Sequence, residues 1–164
     1  MEQYSTAYIG LGSNLAEPIQ QIQQALQTLA SLPQTQLRKH SSLYRSKPLA
    51  GMVQPDYINA VAVLETQLPP YLLLEHLQTV ENQQGRVRTG ERWGARTLDL
   101  DILLYDQLQS SDPRLCLPHL GLTQRAFVLY PLYECEPLLT LPDGTKLVTL
   151  LQHCPMDGLH RIEN

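Results

Sequence analysis

The sequence is poor in the residues that mark secreted, membrane-spanning or nucleic-acid-binding proteins. Its three cysteines, Cys116, Cys135 and Cys154, include no CxxC pair. That excludes a disulfide framework or structural zinc site as the organising device and fits a reducing cytoplasm. No apolar run approaches the length of a bilayer span. The opening Met1-Glu2-Gln3-Tyr4 has neither the basic nor the apolar region of a signal peptide. Basic residues are outnumbered, 12 Lys+Arg against 16 Asp+Glu, for a net charge of −4. This argues against a general nucleic-acid binder, as does the lack of an aromatic-basic run for stacking RNA bases. Tryptophan and phenylalanine occur once each, at Trp93 and Phe127.

What remains is an ordinary globular composition, 43% apolar and 17% charged, which excludes disorder for the body of the chain. A length of 164 residues suits one domain, residues 1–164, with one core. The charge is unevenly spread. Arg86, Arg88, Arg92 and Arg96 lie close together with one acid, Glu91, giving a local +3 and leaving −7 for the rest. A positive island on an acidic chain suggests a compact anionic ligand rather than a long polyanion.

Periodicity gives the element order. Ala7 to Leu11 reads as a strand. Ile19, Ile22, Leu26 and Leu29 recur at helical spacing after Pro18 and opposite a glutamine-rich face. Leu37 to Ser46 reads as a second strand and Tyr57 to Leu64 as a third, central one. Leu72 to Gln84 predicts a second helix, capped by Gly85. Thr97 to Tyr105 predicts a fourth strand, and Lys146 to His153 a last helix in a proline-rich tail. Strand, helix, strand, strand, helix, strand is the ferredoxin-like split βαβ order: an α+β fold, mainly antiparallel, with helices on both sides.

The most informative run is Arg92-Trp93-Gly94-Ala95-Arg96-Thr97-Leu98-Asp99-Leu100-Asp101-Ile102. Asp99 and Asp101, two apart on a strand, leave one face with Cα atoms roughly 7 Å apart. Leu98, Leu100, Ile102 and Leu104 are expected on the other. Adjacent carboxylates repel and are costly to desolvate. A hard divalent cation would compensate them, and so would a pair of cations of the two-metal kind. Salt bridges to Arg92 or Arg96, or plain exposure, would also account for the pair. Arginine forks upstream suit phosphate. With Gly90 and Gly94 between them, the segment Gly85 to Ala95 reads as a lid, with Trp93 closing over a flat ligand, although a solvated basic loop is the commoner reading of such a segment taken alone.

Other residues carry weaker signals. Gly10-Leu11-Gly12-Ser13-Asn14 lacks the third glycine of a dinucleotide loop and the lysine of a P-loop, and reads as a tight strand-to-helix turn. Gln78 and Glu81 share a helix face that solvent would normally take, although they could touch a nucleotide. Tyr57 and Asn59 share a strand face; with Phe127 they offer stacking surfaces and an amide for a planar heterocycle, with core packing the default for each aromatic. His119, flanked by Arg114 and Arg125, could add phosphate donors.

Taken together, the run Arg92 to Ile102, Tyr8 to Asn14, Gln54 to Ala60, Glu81 to Arg88, Leu117-Pro118-His119 and Arg125-Ala126-Phe127 resemble, in order, the signatures of the 6-hydroxymethyl-7,8-dihydropterin pyrophosphokinase family. The likeness runs from about Ala7 to Asp143. It implies a monomeric ferredoxin-like enzyme of folate synthesis, transferring the β,γ-diphosphate of ATP to the pterin hydroxymethyl oxygen and leaving AMP. By motif, Asp99 and Asp101 would hold two Mg2+ ions, and Arg86 and Arg96 would steady the transferred group. Arg88, Arg92 and Trp93 would belong to the lid. Tyr57 and Phe127 would sandwich the pterin, Asn59 would bond its edge, and Ser46 and Leu49 would contribute to its wall, with Trp93 closing it. Gln78, Glu81, Ile102, Arg114, His119 and Arg125 would line the nucleotide side. Ala95, Cys116 and Ser46-Lys47-Pro48 depart from the commoner family residues. A glycosyl- or nucleotidyltransferase with a DxD pair would need a larger nucleotide domain; a non-catalytic ferredoxin-like nucleotide sensor is the alternative from another class.

Overall fold

The computed structural model describes residues 3–14, 17–47, 56–84, 98–156 and 158–162. Its centre is a pair of antiparallel strands, β1 (Ser5–Ser13) and β4 (Tyr57–Thr66), joined from Ser5↔Thr66 to Ser13↔Ile58. In β4 nearly every residue from Ile58 to Leu64 is buried, because helices cover both faces of this central strand. β5 (Asp99–Tyr105) flanks β1 on the outer side. The other edge of β4 is shared by β2 (Thr35–His40) and β3 (Tyr44–Ser46), and β8 (Leu159–Arg161) closes the sheet beyond β3. Every pairing among these strands is antiparallel. A short hairpin, β6 (Ser110–Asp112) and β7 (Leu115–Leu117), stands apart from the sheet.

One face of the sheet is packed by α1 (Pro18–Ala30) and α2 (Pro70–Gln83). Ile22, Ala25, Leu26 and Leu29 of α1 and Leu73, Leu77 and Val80 of α2 meet Ala7, Ile9, Leu11, Ala60, Ala62 and Leu64, the helical and two-residue periods meeting in one core. Each helix begins with proline in its first turn, where the missing N–H has no partner to lose. The other face is covered by α3 (Ala126–Cys135) and α4 (Leu147–Gln152), which pack on Tyr8, Val61, Val63, Leu103 and Leu104. The architecture is thus the expected α+β one, mainly antiparallel with helices on both sides.

Four details differ from the sequence reading. The second strand is two strands: at the break the Ser41 N–H donates to the Val61 carbonyl at 2.8 Å, and the Ser41 hydroxyl accepts the Val61 N–H at 2.9 Å. A side chain thereby substitutes for a ladder carbonyl. Gly10 to Ser13 are not a turn but the second half of β1, paired with β4 throughout and with β5 as far as Gly12. The register of β5 shifts between Tyr8↔Leu104 and Ile9↔Ile102, so Leu103 is an extra residue. This bulge sends both Leu103 and Leu104 to the α3 side and overturns the expected placing of Leu104 with Leu100 and Ile102. Finally α3, absent from the sequence reading, contains Pro131. A mid-helix proline costs about 3 kcal/mol; burial of Val128, Leu129, Leu132 and Cys135 offsets it.

Candidate active site

The candidate residues gather on the α3 side of the sheet, at one end. Strand alternation puts Tyr57 and Asn59 of β4, Gly10 and Gly12 of β1, and Asp99 and Asp101 of β5 on this face. Register aligns them in rows: Tyr44, Asn59, Gly12 and Asp99 in one, Val61, Gly10 and Asp101 in the next. Two strand spacings, roughly 10 Å, separate Asn59 from Asp99. The strip of β1 between them carries no side chains. A Cβ at Gly12 would lie 3.2 Å from Asn59 Oδ1, and one at Gly10 the same distance from Leu103 Cδ2. Among the described residues the result is a trough floored by bare backbone, with an amide on one bank and two carboxylates on the other.

Asn59 is buried, 5% exposed, and its amide Nδ2 donates to the Ser46 hydroxyl at 2.7 Å. Tyr57 is half-buried and opposite Ser46 in the ladder. On the other bank Asp99 is half-buried and Asp101 exposed. The His119 N–H donates to the Leu103 carbonyl at 3.0 Å, which brings His119 Nε2 to 3.8 Å from Asp101 Oδ1. Arg125 caps the start of α3, with its guanidinium 5.8 Å from the centre of the Phe127 ring. Gly121, at φ 82°, makes room: a Cβ there would meet Arg125 Nε at 2.7 Å. Phe127, in the first turn of α3, is half-buried against the second core.

Three expected nucleotide-side residues are placed differently. Glu81 does not face solvent. It is 3% exposed, and its carboxylate accepts the Leu100 N–H at 2.7 Å, between the two aspartates. Gln78, one turn earlier, is half-buried. The Ile102 side chain belongs to the α1/α2 core on the opposite face, which leaves its backbone as its only offer to a ligand. Arg114 lies over Tyr71 at 5.5 Å and 3.8 Å from Glu75, against the first half of α2 and not with the acidic pair. Both members of that ion pair are more than half exposed, so screening leaves it weak. Arg86, Arg88, Arg92, Trp93, Arg96 and Leu49, with the proposed Gly85 cap and lid, lie outside the described residues.

The residues that sequence reasoning missed are Gly10 and Gly12. Their signal was present as glycines two apart in a strand, which marks a close approach to the backbone. Beneath the α3 side, Glu134 ties α3 to β3: it accepts from Tyr44 Oη at 2.6 Å and from the Ser42 N–H and hydroxyl at 2.8 and 2.9 Å. Burial pushes the Glu134 carboxyl up, but these bonds together with Arg161 outweigh it and hold the group below its usual range. Burial, then the bond to Glu134, drives Tyr44 well above an ordinary phenol. This polar clamp fixes α3, which carries Phe127 in its first turn, over the sheet.

As for a metal, paired oxygen donors on one face beside a strip without side chains suit a hard divalent cation completed by phosphate oxygens.

Comparison with known proteins identifies relatives over most of the chain. Residues 8–137 match the model of the 7,8-dihydro-6-hydroxymethylpterin-pyrophosphokinase (HPPK) family. A Pseudomonas aeruginosa protein named 2-amino-4-hydroxy-6-hydroxymethyldihydropteridine pyrophosphokinase is 52% identical over 155 residues, covering 94% of this chain and 95% of its own. A Haemophilus influenzae protein of the same name is 50% identical over 147 residues, covering 90% and 91%. The crystal structure of Plasmodium falciparum HPPK-DHPS wild type with pteroate superposes with a TM-score of 0.73 at 13% identity. It matches 93% of this chain, which spans 43% of that longer one and shares its fold.

Proposed function

The chain belongs to the HPPK family, and from that premise we propose that it transfers the β,γ-diphosphate of ATP to the hydroxymethyl group of 6-hydroxymethyl-7,8-dihydropterin. In that reaction the hydroxymethyl oxygen attacks the β-phosphorus, the bond from that phosphorus to the α,β-bridging oxygen breaks, and AMP leaves. The hydroxyl proton is released, and the pterin diphosphate goes forward to folate synthesis. The observation that carries the reading is the row Asn59, Gly12, Asp99. It puts a hydrogen-bonding amide and a carboxylate about two strand spacings apart, a span suited to a bicyclic heterocycle bearing one carbon and a phosphate-bound cation.

In this reading Asn59 bonds the pterin edge, Tyr57 and Phe127 stack on its faces, and Ser46 supports the wall. Asp99 and Asp101 would hold two Mg2+ ions, which would supply neutralisation of charge on the phosphates. His119, beside Asp101, contributes a donor to phosphate, as does Arg125. Glu81 acts through the β5 backbone, and Gln78 stands on the same helix face. Arg86 and Arg96 supply forked donors to the transferred group. Arg88, Arg92 and Trp93 serve the nucleotide from the lid, Trp93 and Leu49 also bind the pterin, and Arg114 reaches phosphate only by leaving Glu75. A monomer of one domain, 1–164, acting in the cytoplasm without nucleic acid or membrane, completes the proposal. Free thiols at Cys116, Cys135 and Cys154 suit a reducing compartment, and no described helix is long and apolar enough to cross a membrane. Membership in a family of catalysts leaves the nucleotide-sensor reading without support.

The test is incubation with ATP, Mg2+ and 6-hydroxymethyl-7,8-dihydropterin, followed by separation of the adenine nucleotides. Pterin-dependent AMP is the expected product. ADP would mean transfer of a single phosphoryl group, and absence of turnover by folded protein would refute the assignment.

A further inference from the structure

The Asn59 carboxamide is held from one side and given room on the other. Its Nδ2 is committed to the Ser46 hydroxyl at 2.7 Å, so its second polar atom, Oδ1, turns toward β1. There it sits where a Cβ on Gly12 would come within 3.2 Å, closer than nearly all real contacts of that kind. Asn59 is 5% exposed and Ser46 8%, so neither group can swing into bulk solvent to relieve a clash. Ser46 and Asn59 project from neighbouring antiparallel strands, Tyr44↔Asn59 and Ser46↔Tyr57 being consecutive same-face pairs. The bond is therefore a diagonal cross-strand contact of fixed length. Gly12 is fixed too: β1 pairs with β4 at Asn59 and with β5 at Asp99, and a strand bound on both edges cannot retreat.

We propose that Gly12 and Ser46 are positioning residues that determine specificity for the heterocycle: together they fix which way the Asn59 amide faces and how deep it lies. Ser46 takes one of the amide's two N–H donors and so fixes which way the group faces, with Oδ1 presented over β1 as an acceptor for a heterocycle edge that donates N–H. Gly12, lacking a side chain, lets that oxygen lie low over β1. A methyl group there would lift or rotate the amide. Neither residue acts on ATP, whose phosphates belong with the carboxylates of β5. The inference rests on the pterin reading above and adds the two residues that aim its amide.

The experiment compares wild type with Gly12→Ala, Ser46→Ala and Ser46→Thr. Titration with 6-hydroxymethyl-7,8-dihydropterin, followed by its fluorescence, is set beside KM values for ATP and pterin and the NMR signals of the Asn59 side-chain NH2 in the free proteins. Gly12→Ala and Ser46→Ala are each expected to weaken pterin binding by about tenfold, the worth of one misaligned hydrogen bond. KM for ATP should change less than about twofold, since Asn59 and the carboxylates of β5 lie two strand spacings apart. The Asn59 NH2 signals should move in both variants before any ligand is added, and Ser46→Thr, which keeps the hydroxyl, should restore wild-type binding. Unmoved Asn59 signals, or equal losses for ATP and pterin, would overturn the proposal. If Gly12→Ala fails to fold, the Ser46 pair decides alone. Wild-type protein that binds no pterin would overturn the functional reading and this inference with it; wild type that binds normally beside variants that bind as well would overturn the inference only.

Discussion

The Glu81 carboxylate, on α2, accepts the Leu100 N–H of β5 at 2.7 Å, in the interval between Asp99 and Asp101. A buried acid thus sets the backbone that carries the two exposed or half-exposed ones. A charge-assisted bond here is stronger than a neutral one. Glu81→Leu would leave the buried N–H unpaired, at a cost of about 1–3 kcal/mol. Urea unfolding should register that loss, with Glu81→Gln intermediate because an amide oxygen can still accept. Equal stability of Glu81→Leu and wild type would show that the bond does not hold the strand.

Asp99 and Asp101 are expected to matter for chemistry and little for folding. Asp101 is 52% exposed in its side chain, so its removal disturbs no core. Asp99→Ala or Asp101→Ala should lower kcat by about 10²–10³ or more, the scale of losing a preorganised electrostatic group. Melting temperatures should shift by no more than a few degrees. Chelation with EDTA should abolish wild-type turnover, and added Mg2+ should restore it. Full activity in the double variant, or in EDTA, would remove the metal role.

How much of this was legible in the sequence depended on the kind of signal. The apolar period of Ile22, Leu26 and Leu29 predicted α1, and the valine- and alanine-rich run at Tyr57 to Leu64 predicted the central strand, since both patterns report burial directly. The bulge at Leu103 was not legible, because an extra residue in a run of leucines alters no local preference and only the partner strand reveals it. α3 was hidden by Pro131 and by being apolar all round, which erases the helical period. The acidic pair was plain, being two like charges on one strand face. Glu81 was read as facing either solvent or the nucleotide, whereas the N–H that it accepts comes from a strand 19 residues away. The value of Gly12 lay wholly in what faces it across β4.

Alkaline stability should follow Cys135 first. Burial pushes its thiol from 9.0 up to about 11, with the Glu134 charge adding to the effect. A folded-state value above the unfolded one contributes stability that is complete below pH 9 and is lost as pH rises toward 11. Tyr8, pushed by burial and then by Glu136 from 10.0 up to about 12, extends the decline beyond pH 10. Melting temperature should therefore fall from pH 9 upward. The difference between wild type and Cys135→Ala should narrow over the same interval, by less than about 3 kcal/mol. A difference that stays constant from pH 8 to 11 would show that the thiol is not the titrating group.

Acid stability should depend on the clamp between Tyr44 and Glu134. The Glu134 carboxyl is held below its ordinary 4.5, burial opposing and the bonds from Tyr44 and Ser42 prevailing. A lowered value contributes stability that is present above the unfolded value and is lost as pH falls through the folded one. Tyr44→Phe removes the 2.6 Å bond and brings the carboxyl back toward its unfolded behaviour. The variant should be less stable at pH 7 by about 1–3 kcal/mol, the range for a part-buried bond to a charged group. That deficit should shrink as pH drops below about 4.5, because protonated Glu134 no longer draws on the phenol. The check is a pair of urea titrations, wild type and Tyr44→Phe, at pH 7, 5 and 3.5. Converging stabilities assign the linkage to this pair. Parallel curves would mean that the phenol contributes only packing against α3, and that Glu134 keeps its charge through Ser42 and Arg161 alone.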